Sequence, residues 1–238
     1  MTAPAGLFGE DVIRAGTVLP VQLNSSLNSR KVKAGQVISA RLMQDIPLAS
    51  GGRLRAGAKV VGRVISAQAG AIGSGARVSL QFDAVKRAGR QIPISTNLRA
   101  LASMLDVFQA QLPTMGADRG TPENWWTTEQ IGGDVVYRGD SVANGLEVVG
   151  RPTANGVLVH LRSKSGAPCR GEISGNDELQ ATWVFSADAC GVYGFSDLAI
   201  AHAGQTEPVG QITLVSTQGD FDVRGGSGLL LRVNGSGR

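Results

Sequence analysis

Residues 13–67 read IRAGTVLPVQLNSSLNSRKVKAGQVISARLMQDIPLASGGRLRAGAKVVGRVISA. Three times in this stretch a basic residue, alanine and glycine precede a β-rich run. Arg14-Ala15-Gly16 stands before TVLPVQL, Lys33-Ala34-Gly35 before QVISARL, and Arg55-Ala56-Gly57 before AKVVGRV. Glycine reaches the φ > 0 conformations of tight turns that other residues adopt only at a cost. The β-branched residues that follow suit a pleated, half-buried surface. Each unit therefore reads as a turn followed by a strand. ARVSLQF and RQIPIST add two more strands. Along Arg77–Val85, Val78, Leu80, Phe82 and Ala84 fall on one face and Arg77, Ser79, Gln81 and Asp83 on the other. This strand and its return at 90–96 predict a hairpin. Pro20 cannot donate a ladder hydrogen bond, so the first strand is expected at an edge or a bulge.

The segments AGTVLPVQLNSSLNS, KAGQVISARLMQDIPL, RLRAGAKVVGRV, ARVSLQFDAV and RQIPIST together resemble the β-barrel domain of the TrbI-like family. That family forms the inner-to-outer-membrane channel component of bacterial conjugation and type IV secretion machines. The resemblance covers roughly a third of the chain and implies a small β-barrel over residues 12–97. The family's transmembrane segment and proline-rich linker have no counterpart before the barrel, and the residues after Asn97 have none in the family. As a whole the chain also looks like exported proteins of soil bacteria, which implies a location and no activity.

A chain of 238 residues is long enough for one large all-β domain or two smaller ones. A hydrophobic content of 42% supplies a core. The 33 glycines are scattered without a period, which fits many short strands and frequent turns. No apolar run is long enough for a membrane-spanning helix. MTAPAGLFGEDVIRAG lacks the basic and apolar regions of a signal peptide, so export implies that a leader is missing from this sequence. The net charge of +4 is unevenly placed. Residues 12–100 carry 14 Lys and Arg against two acids, and residues 121–238 carry 8 against 13. This asymmetry marks either an anionic partner or two halves that attract each other.

Residues 1–11 read as a flexible arm. After the barrel, Leu98, Leu101, Leu105, Phe108 and Leu112 recur at spacings of three and four, with Asn97 as N-cap and Pro113 as stop. This predicts an amphipathic helix of about 14 residues that caps the barrel or binds a partner. With its linker it occupies 98–128. Trp125-Trp126 in that linker is the candidate ligand-binding pair, a stacking platform for sugar or a membrane-interface anchor; the alternative is that the rings pack on the core edge. From 129 to 238 the chain is again rich in strands, with Asn155-Gly156 as a two-residue hairpin signal. The expected fold is all-β: a small barrel, a short helix, then a second β-sandwich or barrel-like part.

Cys169 and Cys190 are the only cysteines and sit on neighbouring predicted strands. A disulfide between them would close a loop of about 22 residues and require an oxidising compartment; the alternative is two small buried thiols. His160 and His202 fall short of a zinc set, so no metal is expected. Asp177-Glu178 and Asp220 with Asp222 lie beside turns and read as caps. No GxSxG, phosphate loop or dinucleotide fingerprint is present, and no catalytic residue or cofactor is expected. The basic half has few aromatics on which bases would stack, so nucleic acid is not an expected partner. These observations favour a non-enzymatic, periplasmic or secreted binding or assembly protein of the bacterial envelope. Its partners would be proteins or cell-wall polymer, and a homo-oligomer is compatible with the reading. The alternative is a carbohydrate- or cell-wall-binding module.

Overall fold

The structure, a computed structural model, describes residues 12–48, 51–71, 73–87, 89–113, 127–137, 140–163, 169, 178–205 and 207–234. The arm expected at 1–11 and Trp125-Trp126 lie outside the described residues, as does Asp177. The fold is all-β with one short helix, α1 (Met104–Gln109). The first strands are β1 (Val18–Leu23), β2 (Leu27–Asn28), β3 (Val37–Leu42), β4 (Ile46–Pro47), β5 (Arg53–Leu54) and β6 (Lys59–Gln68). Then come β7 (Arg77–Arg87), β8 (Arg90–Pro93), β9 (Thr96–Ala102), β10 (Thr127–Glu129), β11 (Val135–Tyr137), β12 (Val142–Asn144) and β13 (Glu147–Thr153). The last are β14 (Gly156–Val159), β15 (Gln180–Ala181), β16 (Gly191–Tyr193), β17 (Leu198–Ala201), β18 (Ile212–Ser216), β19 (Asp222–Val223) and β20 (Gly228–Val233).

The three basic-Ala-Gly units are three copies of one turn. The carbonyls of Arg14, Lys33 and Arg55 accept from the N–H groups of Thr17, Gln36 and Ala58 at 3.2, 3.0 and 3.3 Å. Gly16, Gly35 and Gly57 sit at φ of 85°, 82° and 89°. This is the hydrogen-bond and φ pattern of a type II turn, whose third residue must reach φ > 0. Each glycine N–H then donates across to another strand, at the carbonyls of Val233, Val64 and Leu42, at 2.8, 2.9 and 2.7 Å. The turns thus fix where β1, β3 and β6 enter the sheet.

Nine strands run in the order β16-β9-β20-β1-β3-β6-β7-β18-β17, and β8 joins β7 as the tenth. The hairpin expected at 77–96 is this β7–β8 pair. All neighbours are antiparallel except β16 and β9. The division expected at 97 and 129 does not separate the sheets. Strands β1, β3, β6, β7 and β8 from the first part form one run in the sheet, flanked by β20 on one side and by β18 and β17 on the other. The expected barrel over 12–97 is therefore not a closed unit of its own. Its apolar faces are completed by strands that arrive late in the chain.

Two strand expectations change for physical reasons. β1 is not an edge, because it lies between β20 and β3. Its pairing with β3 covers only Val21–Leu23, so Pro20 falls just beyond that ladder, and its carbonyl still accepts from Met43 N–H at 3.0 Å. The long helix is replaced by β9 followed by α1. Every residue of β9 is buried, and a strand covered on both faces shows no alternation. Ser103 caps α1, its hydroxyl accepting from Asp106 N–H at 3.1 Å. Val107 is the buried helical residue, while Leu105, Phe108 and Leu112 are exposed.

The main core holds Leu19, Ile38, Leu42, Leu80, Phe82 and Leu231. On the opposite side of β1, β9 and β20 a second cluster joins Val18, Ala100 and Leu230 to Val107, Trp183 and Phe185. The second sheet is a six-stranded antiparallel meander, β10-β11-β12-β13-β14-β15, with a small core of Val142, Val149, Val157, Val159 and Ala187. Its β13–β14 hairpin forms as expected, but Thr153 pairs with Gly156, so Ala154-Asn155 is the loop. Two small pairs, β2 with β19 and β4 with β5, complete the structure. Cys169 and Cys190 form a disulfide with 5.9 Å between Cα atoms. Closing that loop stabilises by about 3 kcal/mol in the chain-entropy account. No helix among the described residues is long and apolar enough to cross a membrane.

Candidate functional site

Gln44 and Gln180 bond across the seam between the sheets, and Gln130 holds the chain at Trp183 beside it. Gln44, almost fully buried, follows β3. Its Nε2 donates to Val157 O at 2.7 Å and to Thr153 Oγ1 at 3.3 Å, and its Oε1 accepts from Trp183 N–H at 2.8 Å. Gln130 Nε2 donates to Trp183 O at 3.0 Å. Gln180 Oε1 accepts from Val18 N–H at 3.0 Å. Trp183 sits at φ 55°, where an L-residue incurs a cost of about 1–2 kcal/mol. Both its backbone groups are held by glutamine side chains, so the strained position is fixed by the seam.

Two clefts flank the β13–β14 hairpin. One, of about 430 Å³, lies against Met43, Gln111, Thr128, Val136 and Trp183. The other, of about 380 Å³, opens between the β4–β5 hairpin and β13–β14 and is walled by Asp45, Arg53, Arg55 and Arg151. Asp45 Oδ1 accepts from Ala56 N–H at 2.9 Å and Oδ2 from Arg55 at 2.7 Å. The Ala56 N–H, helped by Arg55, holds the Asp45 carboxyl below its ordinary pKa. A third cleft, of about 410 Å³, is lined by Gly132, Gly133, Asn144, Arg162, Ser163 and Asp188.

Beside the second cleft the main sheet carries a row of cations. Arg41 stands directly opposite Lys59, and Lys59 directly opposite Lys86, across β3, β6 and β7. All three are exposed. Like charges placed directly opposite each other destabilise a sheet. Arg41 Nη2 donates to Gln22 Oε1 at 3.1 Å. Lys59 and Lys86 form no ion pair among the described residues. Arg87, next along β7, donates to Arg53 O at 2.8 Å, so the row runs into the arginine cleft.

Other residues singled out in the sequence have structural roles. Asp220 accepts from Ser29 Oγ at 2.7 Å, from Gly70 N–H at 2.9 Å and from the Arg30 guanidinium. Arg30, Gly70 and Ser29 keep its carboxyl below the ordinary value, and it ties three segments together. Glu178 pairs with Arg14 at 3.1 Å. His160 is exposed on β14's continuation, and His202 sits in a turn at φ 62°. No group of three His, Cys, Asp or Glu that would hold a metal occurs among the described residues. One carboxylate escaped the sequence reading. Asp134 is fully buried, accepting from Ala187 N–H at 2.6 Å and from Asn144 Nδ2 at 2.7 Å. Burial pushes its pKa up, against those two hydrogen bonds. Only its place beside Gly132-Gly133 hinted at a constrained turn.

These features define an all-β, disulfide-bonded protein with a basic sheet face leading into an arginine-walled cleft. No protein-family model matches the chain, and no curated protein matches it.

Proposed function

We propose that the chain is a non-enzymatic, exported binding or assembly protein of the bacterial cell envelope, with its basic sheet face as the contact surface. The row Arg41-Lys59-Lys86 carries the reading. Three cations in direct cross-strand register weaken the bare sheet and are neutralised when an anionic partner lies over them. The Cys169–Cys190 disulfide supports the location, since such bonds persist in oxidising compartments. The resemblance to the TrbI-like barrel supports an assembly role.

Light scattering after size exclusion, on oxidised protein, tests the assembly arm. A ring-sized oligomer is expected there, whereas a 24.7 kDa monomer leaves binding alone. Retention on peptidoglycan sacculi or an anionic matrix tests the binding arm. It is expected to weaken with salt and in Lys59→Gln/Lys86→Gln. A monomer that binds no envelope polymer removes the reading altogether.

A further inference from the structure

We infer that the cleft between the β4–β5 and β13–β14 hairpins is a binding site for an acidic saccharide, engaged through its carboxylate or phosphate group. This deepens the envelope-binding reading, on which it rests, by giving it a ligand class and a defined cleft at the end of the sheet row. The cleft brings together parts of the chain that have no local reason to meet. Arg53 and Arg55 come from β5 and the turn after it, and Arg151 from β13. Seam residue Gln44 also lines the cleft, and its bonds to Thr153 and Val157 hold the two hairpins in register.

The charges are arranged for an incoming anion. Three arginines face one acid, Asp45, and that acid is already committed to Ala56 N–H and Arg55. Asp45 thereby orients Arg55. The guanidinium groups of Arg53 and Arg151 form no ion pair among the described residues. A planar guanidinium matches the two oxygens of a carboxylate or phosphate with two parallel hydrogen bonds. Asn155, at the hairpin tip, offers amide groups suited to hydroxyls, and Pro47 and Leu158 give an apolar wall for the face of a sugar ring.

The volume of about 380 Å³ is on the scale of small-molecule sites. Among the described residues the lining has no aromatic ring on which a nucleic-acid base would stack. It also has none of the exposed large apolar side chains that would enter a bilayer. Those features turn the choice from nucleic acid and lipid towards a polar, anionic ligand.

Calorimetric titration of the oxidised protein with trigalacturonate, glucose 1-phosphate and neutral maltotriose tests the site. One or both acidic probes are expected to bind and maltotriose is not; which acidic probe binds identifies the group as carboxylate or phosphate. Arg53→Gln/Arg151→Gln is expected to weaken binding roughly tenfold or more, as for lost charge-assisted bonds. Arg53→Lys/Arg151→Lys, which keeps charge and loses the fork, is expected to fall between. Arg77→Gln, at the far end of β7, is expected to match the unaltered protein. The site is overturned if maltotriose binds as well as the acids, if neither acid binds, or if the double glutamine variant keeps full affinity. In any of those cases, retention on sacculi that Lys59→Gln/Lys86→Gln abolishes would leave the envelope-binding reading standing.

Discussion

In the ten-stranded sheet, Val18 of β1 pairs with Arg232 of β20, from the opposite end of the described chain. In the six-stranded meander every strand pairs with the one that follows it. The first sheet buries large side chains such as Leu19, Leu80, Phe82 and Leu101. The second has a core of four valines and an alanine. Polar clamps add to it: Gln44 and Gln180 across the seam, and Gln130 and Asp134 within the smaller part. A sheet with a thin apolar core borrows stability from its neighbour through directional bonds. Each such bond is modest in net terms and costly when only one partner is removed.

The largest expected effect tests whether the big sheet underwrites the small one. Phe82→Ala removes a ring that is 1% exposed and should cost about 3–5 kcal/mol. Urea unfolding followed by tryptophan fluorescence and by far-ultraviolet circular dichroism should shift as one transition. Two separated transitions would show that the sheets unfold independently and would break the dependence argued above.

Gln44→Leu should have the next largest effect and a different pattern. It orphans the buried N–H of Trp183, at about 1–3 kcal/mol, and leaves the Val157 carbonyl with the Thr182 N–H alone, at 3.3 Å. Hydrogen exchange should quicken first in β13, β14 and around Trp183, with β1 and β20 still protected. Uniform loss of protection would mean that the seam is not where the two sheets part.

The smallest effect concerns pH. Burial raises the Asp134 pKa above its ordinary 3.8, so the folded chain holds that proton more tightly than the unfolded one. The Asp134 contribution to stability is therefore most favourable below 3.8 and declines as pH rises through the raised folded value. Asp45 and Asp220 act in the opposite sense: their lowered values give stability present above 3.8 and lost as pH falls through the folded values. In Asp134→Asn the decline with rising pH should vanish, by at most about 1.4 kcal/mol per pH unit. An unchanged slope in urea titrations across mildly acidic pH would remove Asp134 as the source.

The parts of this fold that were legible in the sequence are the local ones. The basic-Ala-Gly turns declare themselves because φ > 0 leaves a glycine at a fixed place, and β7 because one of its faces is partly open to water. β9 carries a helical spacing in the sequence because cover on both faces erases its alternation, leaving only the chance spacing of Leu98 and Leu101. The order of the big sheet was hidden because β1 meets β20 through backbone bonds that any apolar strand can make. The site divides in the same way. Arg53 and Arg55 stand together in the sequence, but Arg151 reaches them only through the β13–β14 hairpin and Gln44, a polar residue with no distinguishing neighbours.

The pairing of β1 with β20 also sets the order of events in folding. The strand that completes the centre of the large sheet is the last one described, so β1 waits for almost the whole chain before its long neighbour exists. Contacts this distant make folding slow, because loop closure must precede the reward of pairing.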